Sequence, residues 1–582
     1  MSSFYPKPKV WIWLPLALCI ILAACNPAPK YAKPPAAAPT AFKEAVPQEY
    51  KEGAGWKLAQ PDDDKIRGKW WELYNDPQLS SLEEQVAISN QTIAVAEANF
   101  RASRSLVAYA RASLFPSISS APGYTRSRFS RTSRGATVVG GAPVTSTGTT
   151  GGTGTGNTTG TTTGTGTGTG TGTSTGTSTG SSSSTGVGGT SNTGILNNFT
   201  FPASLSYEVD LWHRIRNTVA ANAFQAEASA ADVSTAMLST QAELAQDYFQ
   251  IRALDVQRQI LRETMANYRQ TLELTNARYR GGIASDEDVS QAQTQLDLTI
   301  AEETDLGVSR ASFEHAIAAL IGKAPANFAL VPAPFVPNPP PVPVILPSDL
   351  LERRPDIAGA ERQVAAANAQ IGVAKAAYYP RLSLSATGGF QTSRFNQWFT
   401  WPSNFWSLGP SFGQVLFDAG ARRALTEEAK ANYDATVATY RQTVLTAFEA
   451  VENYLASLRI LSQEITQQHT AVASASHYLD LSLVRYRGGV DSYLNVITAQ
   501  NAVLTSRETE VQIELRQMSA SVGLIMALGG GWDASQLPTT EQLTAKQPKA
   551  NSTGTTTPSS VPQPIAAPNP PPLAPDPGSH EP

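Results

Sequence analysis

Long stretches of the chain repeat apolar residues at intervals of seven, as a coiled coil does. Between Trp212 and Arg280 no proline interrupts the pattern, and one apolar row consists of Leu244, Ile251, Met265, Leu272 and Tyr279. A second row consists of Leu254, Leu261 and Tyr268, and a later segment repeats the pattern with Phe448, Val451, Leu455 and Leu458. The spacing predicts helices with a coiled-coil-like seam. Roughly 68 residues at about 1.5 Å rise predict a rod of about 100 Å.

A further helical pattern runs from about Leu79 to about Leu114, and Pro116 ends it. Between the helices, residues 199–211, 382–385 and 406–413 alternate apolar and polar side chains with a period of two, which predicts β-strands. We expect two strands in each half of the chain, so four in total. The apolar face of such strands points to a core in a soluble sandwich and to lipid in a membrane barrel.

The chain contains two copies of one unit. The heptapeptide ARYRGGI at residues 277–283 recurs as VRYRGGV at 484–490, a shift of 207 (486 − 279). ARASLFP at 110–116 recurs as AKAAYYP at 374–380, a shift of 264 (380 − 116). Tandem duplication is the simplest explanation. The first copy therefore holds 57 extra residues (264 − 207), which a Gly/Thr/Ser-rich tract at about 138–193 supplies and whose composition predicts a disordered loop.

Four strands cannot close a barrel, and an open sheet edge in lipid would leave backbone groups without partners. Three chains supply 12 strands (3 × 4), an even number within the range of such barrels. The residues thus predict a fold that is mainly α with a small transmembrane β part. It is built from two tandem repeats of helix, β-hairpin, long helix and helix, and it is completed by trimerisation.

The start of the chain has the features of an export signal. Two lysines precede an apolar run, Val10 to Ala24, that is too short to span a bilayer. The sequence LAAC at residues 22–25 resembles the lipobox of bacterial lipoproteins, which implies cleavage before Cys25 and lipidation of its sulfur and new amine. By resemblance to lipoprotein sorting, Asn26 favours the outer membrane. The alternative is an ordinary signal peptide with an incidental cysteine.

Composition and motifs exclude several classes of function. The net charge of −4 and the pI near 5.9 give no basis for binding nucleic acid. The five histidines are scattered without metal-ligand spacing, and the mature chain has no pair of cysteines for a disulfide. The sequence contains no nucleophile elbow, metal cluster or phosphate loop, so we expect neither an enzyme nor a cofactor.

Three motifs give the chain a family resemblance that covers roughly residues 65–535. They are WWELYNDPQL at 70–79, LPSDLLERRPDI at 346–357 and the two Arg-Tyr-Arg-Gly-Gly turns. With them the chain resembles the TolC-type outer-membrane efflux factors, in particular the OprM/NodT-like lipoprotein subfamily. The resemblance implies a homotrimeric channel with a 12-stranded outer-membrane β-barrel continuous with a periplasmic α-helical barrel. It also implies a periplasmic adaptor protein and an inner-membrane pump of the RND type as partners.

These features divide the chain into six segments. We expect a signal peptide at 1–24, a lipid-anchored Pro/Ala-rich tether at 25–65, a first efflux repeat at 66–323 with an extracellular loop at about 136–195, a Pro-rich linker at 324–345, a second repeat at 346–535 and a disordered Pro-rich tail at 536–582.

The Gly-Gly pairs predict the ends of the long helices, because glycine readily adopts the left-handed conformation there. Serines that follow each pair are expected N-caps of the next helix. We expect both tip tyrosines to pack their rings and to bond their hydroxyls across the turn. By resemblance, the periplasmic tips that contact the adaptor consist of Arg278, Tyr279, Arg280, Gly281, Gly282, Ser285, Arg485, Tyr486, Arg487, Gly488, Gly489 and Ser492.

Relatives narrow the periplasmic end with a ring of tip side chains, often acidic. Where relatives often carry an aspartate before an Ala-Gln pair, this chain has Gln291 and Thr498, which puts that ring in doubt. We hypothesise instead that Asp288 and Asp491 contribute to the constriction, within a first tip that also holds Asp286, while the tip arginines brace neighbouring helices. The alternative is that these carboxylates only favour a helix start.

The chain is therefore expected to conduct drugs or other small molecules passively across the outer membrane. The competing hypothesis is a structural or adhesive envelope lipoprotein with coiled-coil rods.

Overall fold

The computed structural model describes residues 26–35, 39, 42–43, 69–128, 195–333, 335, 337–340 and 352–545. The signal peptide, Cys25, most of the tether, the Gly/Thr-rich loop, part of the linker and the tail beyond residue 545 lie outside these ranges, and the expectations for them stay predictions. In the ranges that are described, no helix is both long enough and apolar enough to cross a membrane.

Helices dominate the first of two compact units, which comprises Met1–Phe115, Val209–Leu382 and Gly413–Pro582. The helices are α1 (Pro77–Ser89), α2 (Gln91–Ala112), α3 (Arg214–Arg280), α4 (Asp286–Leu320), α5 (Pro355–Ala376), α6 (Ala421–Arg487), α7 (Tyr493–Ala527) and α8 (Thr540–Thr544). The repeats match to the residue: α2 and α5 have 22 residues each, α3 and α6 have 67, and α4 and α7 have 35. The tandem duplication and the mainly helical fold are confirmed.

The predicted seams lie inside the helical unit. Leu244, Ile251 and Leu261 of α3 are fully buried, and Leu244 and Ile251 share the main core with Phe448 and Val451 of α6. Along the unit, α2 packs on α3, α3 on α5 and α5 on α6, while α4 and α7 pair with the long helices α3 and α6. The seven-residue spacing was therefore a correct guide to the core except at the end of the first row, where Tyr279 is 45 % exposed.

The predicted helix from Leu79 to Leu114 was wrong in one respect, because it is two helices. Asn90 separates them with an extended backbone, at φ −68° and ψ 129°. Its side-chain oxygen accepts hydrogen bonds from the N–H groups of Thr92 and Ile93, at 2.8 and 3.1 Å, and so caps α2. Its side-chain amide donates to the Leu320 carbonyl at the end of α4, at 2.8 Å. A cap on one side and a tertiary bond on the other hold the break in place.

In the second unit, Pro116–Glu208 with Ser383–Phe412, the described residues form a sheet. Its strands are β1 (Ser117–Ser120), β2 (Gly123–Arg128), β3 (Ile195–Val209), β4 (Arg381–Thr392) and β5 (Asn404–Gly413), in the order β1-β3-β4-β5. Both β1 and β2 pair antiparallel with β3, from Ser117 opposite Ser206 to Arg128 opposite Ile195. The described part of the sheet has five strands where four were predicted, because Pro122, which has no backbone N–H, lies between β1 and β2.

Apolar side chains of the sheet face outward in the single chain. Ile118, Trp406, Leu408 and Phe412 are all more than half exposed. The sheet also contains one close approach between strands, since a Cβ atom at Gly389 of β4 would overlap the backbone of β3. Glycine at this position lets β4 lie against β3.

Candidate functional site at the helix tips

The two long helices end on the same backbone motif. At the end of α3 the Ile283 N–H donates to the Arg278 carbonyl and the Gly282 N–H to the Tyr279 carbonyl, both at 2.9 Å. The end of α6 repeats both bonds at 3.0 Å. These two bonds are the Schellman ending of a helix, which satisfies carbonyls that have no partner within the helix.

Only the second glycine of each pair has the left-handed conformation that was predicted for the pair. Gly282 and Gly489 both have φ +73°. Gly281 and Gly488 continue the right-handed helix, at φ −80° and −73°. The Schellman ending needs a positive φ at one residue alone, so the first glycine is not required by its backbone conformation.

The helices after the two turns begin differently. Ser285 caps α4 as predicted: its hydroxyl accepts from the Asp288 N–H and its own N–H donates to the Asp288 carboxylate, both at 3.1 Å. This is a reciprocal capping box. Ser492 occupies the N-cap position of α7, but its side chain makes no capping hydrogen bond. The expectation of a serine cap on both helices was therefore right for one of them.

The two tip tyrosines also differ. Tyr486 is 2 % exposed, and its hydroxyl lies 3.1 Å from the Thr275 hydroxyl of α3 in the other repeat. Tyr279 is 45 % exposed. The expectation of packed rings with hydroxyls bonded across their own turns was thus wrong for Tyr279, and the Tyr486 hydroxyl bonds across repeats. The seven-residue pattern did not single out Thr275. A threonine between Leu272 and Tyr279 of the seam was the feature that could have indicated a polar contact there.

Arg278 joins the two tips. Its guanidinium donates to the Tyr486 carbonyl and lies over the Tyr486 ring, with the Cζ atom 4.5 Å from the ring centroid. A cation over an aromatic face in a partly buried place is worth about 1 kcal/mol or more. Arg278 therefore braces a neighbouring helix end, as was hypothesised for the tip arginines.

Arg485, the counterpart of Arg278, stays within its own turn. Its Nε and Nη2 atoms lie 2.6 and 3.3 Å from the two carboxylate oxygens of Asp491. The arginine lowers the pKa of Asp491, and the carboxylate raises that of Arg485. The shift of 207 pairs Asp491 with Ala284 (491 − 207), so the first tip has no acid at this position. That single difference was the sequence signal for the asymmetry.

The three candidate constriction acids therefore have different surroundings. Asp288 belongs to the capping box, and Asp491 is paired with an arginine. Asp286 is exposed at the first position of α4. Arg280 and Arg487 are exposed as well. Among the described residues no group of three or more His, Cys, Asp or Glu side chains is arranged to hold a metal ion.

Known proteins share both the sequence and the fold. The family model "Outer membrane efflux protein" matches residues 170–323 and 346–530, more than half of the chain. The chain is 28 % identical over 525 residues to the pyoverdine export outer membrane protein OpmQ of Pseudomonas aeruginosa, covering 90 % of this chain and 97 % of that protein. It is 33 % identical over 341 residues to the solvent efflux pump outer membrane protein SrpC of Pseudomonas putida, covering 57 % and 71 %.

A solved structure of the outer-membrane channel OprN superposes with a TM-score of 0.71 at 26 % identity, covering 87 % of this chain and 100 % of that one. The chain thus shares its sequence family and its fold with outer-membrane efflux proteins. The chain belongs to the outer membrane efflux protein family and is an outer-membrane efflux channel.

Proposed function

We propose that three copies of this chain form one passive duct, which a periplasmic adaptor joins to an inner-membrane pump of the RND type. The proposal rests on one observation: each unit of the chain has open sides, with edge strands that pair only once in the described part of the sheet and exposed apolar side chains on the outermost helices. The rival hypothesis of a structural or adhesive rod has no support from the family, whose members are efflux proteins.

The sheet supports assembly because it ends in open edges. In the described part of the chain, β1 and β2 at one side and β5 at the other each pair with a single strand. Backbone groups at such edges need partners in lipid, and another chain supplies them. Counting β1 with β2 as one interrupted strand, three copies bring 12 strands (3 × 4), which is enough for a closed barrel.

The helices support assembly in the same way. On the side of α2 that does not face α3, Val95, Leu106 and Tyr109 are exposed, and Leu425 is exposed near the start of α6. These helices stand at the two ends of the series from α2 through α3 and α5 to α6. Apolar side chains at both ends fit a ring in which α6 of one copy packs on α2 of the next.

The first residues after Cys25 support a lipid anchor at that cysteine. Asn26, the next residue, accepts a hydrogen bond from the Asn217 side chain in the first turn of α3, at 3.2 Å. Ala28 lies against Gly372 near the end of α5, where a Cβ atom would approach it to 2.6 Å. The strands β3 and β4 adjoin these helix ends in sequence. An acyl chain on Cys25 would therefore start close to where the chain enters the proposed barrel.

The tips support contact with an adaptor and a pump. Each presents two glycines and an outward arginine, Arg280 or Arg487, at the end of a long helix. A pump partner is suggested by relatives such as SrpC, whose name places it in a solvent efflux pump. Of the three candidate acids, Asp286 is the one whose charge we assign to the constriction. The Asp288 carboxylate accepts a hydrogen bond in its capping box, and Asp491 is paired with Arg485.

The proposal is tested on the full-length protein, extracted in detergent. We expect a particle of three chains that conducts ions in planar bilayers. Asp286→Asn should lower the preference for cations, because it removes one free carboxylate from each copy. Glu287→Gln, on the adjacent exposed residue, is the matched comparison: a loss of preference confined to Asp286→Asn assigns the charge to Asp286, and an equal loss assigns it to the first tip as a whole. A lone subunit in solution, or a bilayer without current, would contradict the proposal.

A further inference from the structure

A groove lies along one flank of α2, between this helix and the short helix α8. It encloses about 690 Å³, and Arg101, Arg104 and Arg111 line it together with Phe115 and Leu543. We propose that this groove binds the phosphate group of an anionic phospholipid in the inner leaflet of the outer membrane. The proposal rests on the proposed function, since it takes the sheet to be the part of the chain that crosses the bilayer.

The three arginines share one flank of α2, because they are spaced at three and seven residues along it. The guanidinium groups of Arg101 and Arg111 form no ion pair or hydrogen bond with another residue of the described ranges. Two positive charges without a carboxylate partner therefore face one open space. Arginine forms paired, charge-assisted hydrogen bonds with phosphate oxygens, so the groove suits a phosphodiester.

Apart from Ser105 and Thr544, the rest of the groove is lined by apolar side chains, which favours a lipid over a soluble anion. Val107 and Leu543 are buried beneath it in a small core shared with the start of α3. Phe115 at one end is 63 % exposed. A phospholipid headgroup continues into acyl chains, and an exposed aromatic ring next to a charged site can pack against them.

Chain length sets a limit on the distance between the groove and the bilayer. Arg111 precedes Ser117, the first residue of β1, by six positions. Even a fully extended segment of this length spans only about 20 Å. If the strands cross the membrane, Arg111 therefore lies within about 20 Å of the first strand residue, and Arg101, ten residues earlier in α2, lies about 15 Å further along the helix.

The second repeat shows that the shared fold does not require arginines at two of the three positions. The shift of 264 pairs Arg101 with Ala365 and Arg104 with Asn368, whereas Arg111 corresponds to Lys375, which is also basic. In that repeat the flank is covered by the chain's own segment after Cys25, since the Asn368 side chain donates to the Pro29 carbonyl at 3.0 Å. One repeat thus gives this flank to the tether that follows the lipidated cysteine. The other leaves it open and places arginines there, which fits a lipid that is not part of the chain.

The test measures phosphatidylglycerol bound to the detergent-purified full-length protein by native mass spectrometry. Phosphatidylcholine serves as the zwitterionic comparison lipid. We expect R101A/R111A to weaken phosphatidylglycerol binding at one site per chain by roughly tenfold or more, because two charge-assisted contacts are lost. The double variant R269A/R441A removes two exposed arginines of the long helices and is the matched control for charge. It should bind phosphatidylglycerol as the wild type does.

Three results would overturn the site: equal binding by R101A/R111A and the control, equal binding of both lipids by the wild type, or displacement of phosphatidylglycerol by glycerol phosphate at the same concentration. The last would mean that the groove takes a free phosphate. A variant that ends at Ala545 lacks the C-terminal tail. If it bound phosphatidylglycerol more strongly than the full-length protein, the tail would be the natural occupant of the groove, and the proposal would be overturned. A trimer that conducts ions yet binds no lipid refutes the groove alone and leaves the duct intact.

Discussion

A buried carboxyl group in α1 predicts how the stability of the protein depends on pH. Glu83 is fully buried, and neither of its carboxylate oxygens has a hydrogen-bond partner among the described residues. Its neighbours on the helix, Leu82 and Val86, are buried in the main core. Burial without a partner disfavours the charged form and raises the pKa of Glu83 to about 9.

The sign of the effect follows from the raised pKa. The folded protein keeps the carboxyl protonated up to about pH 9, whereas the unfolded chain ionises above its ordinary value of 4.5. Ionisation therefore favours unfolding as the pH rises between these values. At about 1.4 kcal/mol per pH unit, Glu83 destabilises the folded state at pH 7 by about 3 kcal/mol relative to acidic solution. Between pH 6 and pH 8 its contribution changes by a similar amount.

Glu83→Gln should remove this dependence, because an amide does not ionise. Glu83→Leu should also raise the melting temperature at pH 8 by a few degrees, since it places an apolar group in an apolar site. The assay is thermal unfolding of the detergent-solubilised protein, followed by near-UV circular dichroism at pH 6 and pH 8. The control is Glu84→Gln on the same helix, where the carboxylate is exposed and lies 2.5 Å from Lys69. A solvent-exposed ion pair of this kind contributes little to stability, so the control should keep the pH dependence of the wild type.

The reasoning is refuted if wild type and Glu83→Gln lose the same number of degrees between pH 6 and pH 8. That result would mean that the Glu83 carboxylate is ionised, or bonded, in the folded protein.

The structure also predicts the effects of three other substitutions. Gly489→Ala should lower the stability of the second tip by about 1 kcal/mol and speed hydrogen exchange there, because an L residue is strained at φ +73°. Gly488→Ala is the control, because at φ −73° it should leave the exchange rate unchanged. Gly389→Ala should prevent assembly of the sheet, seen as loss of the trimer in detergent, whereas Gly409→Ala meets open space and should assemble normally. Arg278→Ala should speed hydrogen exchange in the second tip, since it removes the cation over that tip's tyrosine, and unchanged exchange there would show that the contact contributes nothing.

The long helices could be predicted because the seven-residue apolar spacing is strong and occurs in both repeats. The seam residues follow a seven-residue spacing, and the Gly-Gly pairs fall where the Schellman endings form. The break at Asn90 was missed, since it depends on a hydrogen bond to Leu320, which is 230 positions away. Neither β1 nor β2 was located from the sequence, because Ser117–Ser120 and Gly123–Arg128 each contain one apolar side chain and give no alternation.

The tips were harder to predict than the helices. Both carry Arg-Tyr-Arg, so the local sequence suggested two equivalent turns. The difference arises at positions 284 and 491, where alanine in one repeat replaces the aspartate that pairs with Arg485 in the other. Which helix an arginine reaches depends on its neighbours in space, and these are not visible in a seven-residue motif.

The pairing of β2 with β3 has a practical consequence. Arg128 and Ile195 stand directly opposite each other, so the 66 residues between them (195 − 128 − 1) leave and re-enter the sheet at adjacent places. Extending a segment whose ends are already joined costs little, about 0.6 kcal/mol per doubling of its length. An epitope tag or a fluorescent label can therefore be spliced between these two residues without disturbing the strand register. By contrast, a single residue inserted into α3 would turn everything after it by about 100° and separate Arg278 from its aromatic partner.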